Sequence, residues 1–130
     1  DYEVTNMGSG LLDRRFGVEW NFSLLSGHAP DAYYEIPGRQ LADRHLNSIG
    51  QEMQVESVAM VHEWFKLHIT LAFDHPATLW RLPIETISNS EGGFERTYQS
   101  SCLLPLWDMH LAPGESWKLS VQARLKDPRK

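Results

Sequence analysis

The strongest constraint on the fold of this chain is a regular alternation of apolar and polar residues. Apolar side chains occupy every second position from Trp117 to Leu125, and polar residues fill the positions between them. Similar patterns run from Phe16 to Leu24 and from Phe65 to Phe73. A period of two places alternate side chains on opposite faces of a strand. Each run therefore predicts a β-strand with one buried and one solvated face.

Weaker strand patterns fill most of the remaining sequence. They cover residues 2–6, 54–61, 77–87 and 95–111, with a short edge strand at 31–36. Turn-forming residues separate them, among them His75-Pro76, the segment 89–93 and Pro113-Gly114. No segment keeps a helical spacing of apolar residues, and residues 41–49 are compatible with a helical turn or a loop. Seven or eight strands with short turns predict an all-β fold, an antiparallel sandwich or barrel.

Length and charge limit the classes of function that are possible. At 130 residues the chain has the size of one domain, and we expect residues 1–130 to form a single β-sandwich. No stretch of about 18 apolar residues is present, so no membrane span is predicted. Asp and Glu outnumber Lys and Arg by 17 to 12, and no basic stripe is available to neutralise phosphates. Nucleic acid is therefore not an expected partner.

The cysteine count and the first residues bear on cellular context. Cys102 is alone, so no disulfide framework is possible within the chain, and a cytoplasmic location is predicted. The sequence begins DYEVTN, without Met and without a basic-then-apolar leader. We expect the chain to be a piece of a longer polypeptide.

Residues suited to catalysis or metal binding do not form a recognisable motif. His62 and His68 lie too far apart along one strand to share an ion, so no metal site or cofactor is predicted. No nucleophile elbow or glycine-rich phosphate loop occurs, and Cys102 lies in a strand-like run that favours a buried, inert thiol. No catalytic residue is predicted within the chain.

Two tryptophans stand out because they interrupt the apolar phase of their strands. Trp64 precedes Phe65, and Trp80 falls out of phase with the apolar set of its own strand. An indole on a solvated face either covers a contact with another domain or stacks on a flat apolar surface such as a pyranose ring. Both interpretations remain open from the residues alone.

The segment from Leu79 to Pro105 predicts a long hairpin of unusual composition. Two strand-like runs meet at a polar turn that contains Ser90-Glu91-Gly92-Gly93. Acids, arginines and aromatics are concentrated within it: Trp80, Arg81, Glu85, Glu91, Phe94, Glu95, Arg96 and Tyr98. Charge beside flat apolar surface is typical of a protein that binds sugars.

This hairpin also carries a resemblance to a known family. The string TISNSEGGFER at 86–96, with FGVEWNFSLL at 16–25 and LAPGESW at 111–117, resembles the C-terminal β domain of family 57 glycoside hydrolases, which are α-amylases and 4-α-glucanotransferases. The resemblance implies a twisted antiparallel sandwich like that of galactose mutarotases, packed beside a (β/α) barrel. In that family the catalytic nucleophile and acid lie in the barrel, so no catalytic residue is carried over to this chain.

These observations lead to one hypothesis and two alternatives. We expect a non-catalytic C-terminal domain of an α-glucan-processing enzyme, with the catalytic barrel of the same polypeptide and α-glucan as partners. Its expected sugar-binding residues are Trp64 and Trp80 for stacking, and Arg81, Glu85, Glu91 and Arg96 for hydrogen bonds to hydroxyls. One alternative is a mutarotase-like epimerase that pairs Glu91 with His68 or His110. The other is a purely structural domain, in which both tryptophans face the barrel.

Overall fold

The computed structural model describes residues 1–127, and within them the protein consists of strands and loops. The strands are β1 (Tyr2–Thr5), β2 (Leu12–Gly17), β3 (Trp20–Phe22), β4 (Ala32–Glu35), β5 (Gly50–His62), β6 (Leu67–Ser90), β7 (Gly93–Leu111), β8 (Ser116–Leu119) and β9 (Val121–Lys126). All strand pairs are antiparallel. The predicted all-β, antiparallel, sandwich-like fold is confirmed. Within residues 1–127, no helix is long and apolar enough to cross a membrane.

The strands form two sheets. β2, β7, β6, β5 and β4 are neighbours in that order in the large sheet, where β3 also pairs with β7 and β9 with β6. β1 and β8 form a separate two-stranded sheet. Aromatic rings link the two sheets, because Phe16 of β2 lies 5.5 Å from the ring of Tyr2 and 5.8 Å from that of Trp117. The architecture is therefore an open sandwich with one large and one small layer.

The large sheet has a buried inner face and a more exposed outer face. Leu71, Leu79 and Leu103 point inward and are at most 1% exposed. Because side chains alternate along a strand, their immediate neighbours in sequence point outward. The inner face packs against the small sheet and the loops on either side of β4, where Leu46 is fully buried and its carbonyl accepts a hydrogen bond from Ser101. Residues 41–49 form a loop rather than a helical turn.

The expected break at His75-Pro76 is wrong, because β6 runs through it. Proline removes one donor from the ladder, and the two residues before it accept hydrogen bonds from other segments. The Asp74 carboxylate accepts the backbone N–H of Ser120 at 2.9 Å, and the His75 carbonyl accepts the Trp107 indole N–H at 2.8 Å. At this point β6 changes its neighbour from β9 to β7. The irregular segment is thus a junction within a strand and not a turn.

The three alternating runs are each shorter or more interrupted than the pattern predicts. The run from Phe16 breaks after Gly17, where the backbone N–H of Val18 donates to the carbonyl of Pro105 at 3.3 Å. The run at 117–125 breaks at Ser120, because β8 pairs with β1 and β9 with β6. Phe65 lies in the turn 63–66 that precedes β6.

Candidate functional site

The predicted hairpin is the longest feature of the fold. β6 and β7 pair from Thr78–Leu106 down to Ser90–Gly93, where Gly93 adopts a φ of 119° that favours glycine. β5 pairs with β6 only as far as Arg81, and β3 pairs with β7 only as far as Ser101. Residues 84–100 therefore form a two-stranded ribbon with no third strand beside it in the described part of the chain. We call this segment the ribbon.

An apolar strip runs along the outer face of the hairpin, at the base of the ribbon. Trp80 is 38% exposed and lies opposite Leu104, and Ile84 is 39% exposed. Leu82 and Leu106 are half-buried on the same face. These five residues are called the outer strip below. Alternation predicted an outward-facing Trp80, and the structure places it there.

Arg81 points to the opposite face and is buried. Its side chain is 4% exposed, and its Nε and NH2 donate to the two carboxylate oxygens of Glu52, each at 3.0 Å. NH1 donates to the hydroxyl of Ser48 and to the carbonyl of Asp43. The guanidinium also lies 5.4 Å from the ring centre of Tyr34. These hydrogen bonds join Arg81 on β6 to Glu52 on β5 and to two residues of the loop 43–48. Arg81 therefore holds β5, β6 and this loop together.

Glu85 and Arg96 of the ribbon lie on the side opposite to Trp80. A bulge between Ile84 and Glu85 shifts the register, and strand alternation then places Glu85 and Arg96 on the inner side. Their side chains are 4.0 Å apart, and that of Arg96 is 75% exposed. Glu91 lies in the exposed turn at the tip. The structure therefore does not bring Trp80 together with these three charged residues.

Trp64 lies at a different place in the fold. It occupies the turn 63–66 between β5 and β6 and is 79% exposed. This turn is at the far end of β6 from the ribbon. The six residues predicted to bind sugar are thus divided among the turn, the outer strip, the interior and the ribbon.

The structure reveals a groove that the sequence reasoning missed. It has a volume of about 750 Å³ and lies against the outer face of β4, β5 and β6, with the loop 36–45 as its rim. Its floor is made of small residues, Ser57, Ala59 and Thr70, and its polar walls include Glu35 and His68. The lining comes from three separate segments, 34–45, 57–59 and 68–70, so no single local motif marks it. The available signal is the run of polar residues in the loop 39–45 beside the edge strand.

Two stacking contacts, one of a guanidinium on a ring and one between two rings, involve the loop that borders the groove. The Arg44 guanidinium lies 4.0 Å above the centre of the Tyr33 ring, and the Tyr33 hydroxyl donates to Glu63 at 3.0 Å. The rings of His28 and His45 stack with centres 4.0 Å apart. These contacts give the rim a defined shape.

A carboxylate anchors the second of these stacks. The backbone N–H of His45 donates to Asp43 at 3.0 Å, and the imidazole Nδ1 lies 2.7 Å from the same oxygen. Mainly through these two hydrogen bonds, the pKa of the Asp43 carboxyl is held below its ordinary value of 3.8. The ionised carboxylate therefore fixes the loop at neutral pH.

The groups required for an epimerase do not converge. Glu91 is at the tip of the ribbon, whereas His68 is near the start of β6, at the opposite end of that strand. His110 lies on β7 opposite Asp13 of β2, with 3.0 Å between Nδ1 and the carboxylate. Cys102 is 3% exposed, and burial raises the pKa of its thiol. Within residues 1–127, no group of three or more His, Cys, Asp or Glu side chains is arranged to hold a metal ion.

The fold and these surfaces define a class: an antiparallel β domain with exposed aromatic and polar surfaces and no assembled acid–base pair among the candidates. Comparison with known proteins identifies the family. The family described as alpha-amylase/4-alpha-glucanotransferase, C-terminal, matches residues 1–121, and the chain belongs to it. The predicted resemblance to a C-terminal amylase and glucanotransferase domain is therefore confirmed.

A curated relative supports the same assignment. Alpha-amylase 1 of Dictyoglomus thermophilum (strain ATCC 35947 / DSM 3960 / H-6-12) is 32% identical over 130 residues. The match covers 96% of this chain and 18% of that amylase. The chain therefore spans less than a fifth of the length of its relative. No solved structure gives a significant match.

Proposed function

We propose that this chain is a non-catalytic accessory domain of a longer α-glucan-processing enzyme, and that it docks on the remainder of that polypeptide through the outer strip. The observation that carries the proposal is the continuous row of apolar side chains on the outer face of β6 and β7. Trp80 and Ile84 are each more than a third exposed within it. Contiguous apolar surface of this kind is typical of an interface.

The ribbon carries further exposed apolar side chains. Ile87 is 63% exposed and Phe94 is 81% exposed, both on the side of the ribbon opposite to the outer strip. An isolated two-stranded ribbon is marginally stable in water, and exposed large apolar residues on it are unfavourable for a free surface. A partner that covers the outer strip and contacts the ribbon stabilises the ribbon and buries its exposed apolar residues. Burial of each such side chain contributes on the order of 1 to 2 kcal/mol to the interface.

The family and its relative indicate what that partner is. The relative named as an α-amylase is more than five times as long as the matched region. We propose that the parent of this chain is likewise an amylase or 4-α-glucanotransferase of the family 57 type, in which a catalytic barrel supplies the reaction. A cytoplasmic location, which the lone Cys102 predicts, is part of the same proposal.

The predicted sugar-binding residues receive different roles in this proposal. Trp80 belongs to the docking surface, and the buried Arg81 stabilises the fold. Glu85, Glu91 and Arg96 lie on the ribbon, where they are close to the docked partner and to any glucan in its cleft. Trp64 lies far from the ribbon and keeps its proposed role in stacking on sugar.

A reconstitution experiment tests the docking proposal. The remainder of the proposed parent enzyme is expressed separately and mixed with the 130-residue chain, and complex formation is measured by sedimentation velocity. Trp80→Glu and Ile84→Lys are expected to weaken the complex at least tenfold, because each places a charge in an apolar contact. Gln122→Lys serves as the control, since Gln122 is an exposed polar residue of β9, which pairs with the other half of β6. A complex that tolerates both strip variants as well as the control refutes the docking surface.

A further inference from the structure

We infer that the groove bordered by the loop 36–45 is a binding site for a neutral α-glucan chain, and that Trp64 extends this site at one end. The choice of ligand rests on the proposed function, because it takes the parent enzyme to act on α-glucan. The groove itself is independent of the outer strip, since it is built from β4, β5 and the first half of β6. It gives the domain a ligand of its own in addition to a docking partner.

The width of the groove fits one sugar ring between two hydrogen-bonding walls. Glu35 on β4 pairs with Ala59 on β5, and Ala59 pairs with Thr70 on β6, so the three residues form a row across the outer face. Neighbouring strands are about 4.8 Å apart, which separates the backbones of Glu35 and Thr70 by roughly 10 Å. The methyl group of Ala59 leaves the space between them open. His68 lies beside Thr70 on the same face.

The polar groups around this space are available to a ligand. Within residues 1–127, the side chains of Glu35, Gln40 and His68 make no hydrogen bond or ion pair with the protein. They supply an acceptor, an amide that both donates and accepts, and an imidazole. A ring with several hydroxyls can satisfy all three at once. Few groups on the free surface of a domain converge in this way around a cavity.

The charge balance of the lining favours a neutral ligand. Arg39 and Arg44 contribute two positive charges, and Glu35 and Asp43 contribute two negative charges. Arg39 donates to the carbonyl of Gln54 at 2.8 Å, and the Arg44 guanidinium lies over Tyr33. The formal charges of these four lining residues cancel, so the lining itself has no charge excess that favours a phosphate or carboxylate group. Arg124 and Lys126 of β9, which pair with Thr70 and His68, lie outside the lining. A polyhydroxyl compound suits it better than an anion.

Trp64 is not among the residues that line the groove, and it lies in the turn that follows Val61, the partner of the lining residue His68. Val61 pairs with Tyr33 on one side and with His68 on the other, and the turn 63–66 follows within two residues. The Tyr33 hydroxyl donates to Glu63, the residue before Trp64. An indole that is 79% exposed at this position offers a stacking surface to the next sugar ring along a chain. The groove and the turn together therefore fit an oligosaccharide rather than a monosaccharide.

Titration with maltohexaose tests this site in the 130-residue chain. We expect backbone amide resonances of residues 33–45, 57–59 and 63–70 to shift together with one dissociation constant. Glu35→Ala, His68→Ala and Trp64→Ala are each expected to raise that constant by about five- to tenfold, because each removes one hydrogen bond or one stacking contact. Glu91→Gln, His110→Ala and Trp80→Ala are the matched controls and leave it unchanged.

The outcomes separate this site from the docking proposal. Loss of binding in the controls Trp80→Ala or Glu91→Gln, with the groove variants unaffected, moves the sugar to the hairpin and overturns the groove. Absence of any shift at millimolar maltohexaose overturns it as well. Neither result changes complex formation through the outer strip, which the reconstitution experiment measures. Spectra of the free variants verify that each one folds.

Discussion

Replacement of Arg81 by methionine is predicted to destabilise the fold severely. Arg81→Met removes both hydrogen bonds to Glu52 and those to Ser48 and the carbonyl of Asp43. The Glu52 side chain is only 15% exposed, so its carboxylate is left unpaired in a poorly solvated place. Removal of one partner from a buried ion pair lowers the free energy of unfolding by about 3 to 5 kcal/mol. Because Glu52 keeps some contact with solvent, we expect a loss of about 3 kcal/mol. The midpoint of thermal unfolding then falls by roughly 10 °C.

Urea unfolding of three variants measures this effect. Arg96→Met is the matched control, because the Arg96 side chain is 75% exposed and 4.0 Å from Glu85, and its cost is expected to stay below about 0.5 kcal/mol. The double variant Arg81→Met with Glu52→Met is expected to recover much of the loss, since it removes both charges. If the free energy of unfolding of Arg81→Met lies within about 0.5 kcal/mol of that of the unchanged chain, Arg81 does not hold the three segments together.

Three further predictions concern local features of the fold. Gly50→Ala places a Cβ 2.2 Å from a nitrogen of the buried guanidinium and is expected to cost about 1 to 3 kcal/mol in urea unfolding, whereas Gly92→Ala, with open space around it, costs little. Burial raises the pKa of Tyr34 to about 12, so the stability that depends on its neutral hydroxyl is full below pH 10 and lost as the pH rises toward 12. Tyr34→Phe should reduce the alkaline loss of stability in unfolding curves, and the remainder comes from Tyr33 and Tyr98, whose pKa values burial also raises. The depressed pKa of Asp43 gives stability that is present above pH 3.8 and lost as the pH falls below it, so Asp43→Asn should flatten the acid dependence of the urea midpoint, and an unchanged slope would contradict the role of its bonds to His45.

The strands were predictable because alternation survives wherever one face of a sheet is buried. The same property hides the places where a strand changes its partner. Residues 116–125 alternate without interruption, yet Ser120 separates two strands in different sheets. Alternation depends on local burial, whereas the choice of partner depends on residues far away in sequence. The alternation therefore could not predict which sheet each strand joins.

The candidate site was predictable only in part, for a similar reason. Trp80 and Trp64 were found because an indole out of phase with its strand is visible in the sequence. Arg81 is in phase with buried Leu79, but its charge indicated a surface position, and its partner Glu52 is 29 residues away. The groove depends on three separate segments that only the folded sheet brings together. Local reasoning finds single exposed residues more readily than it finds paired or assembled ones.

Hydrogen exchange on the ribbon tests the central claim, that this domain docks on the rest of a longer enzyme. In the isolated 130-residue chain, amides of residues 85–99 should exchange quickly, because two unsupported strands open locally at low cost. In the full-length polypeptide, docking through the outer strip and the ribbon should slow their exchange at least tenfold, while amides of β9 remain unchanged. Equal exchange of the ribbon in both forms would contradict the claim.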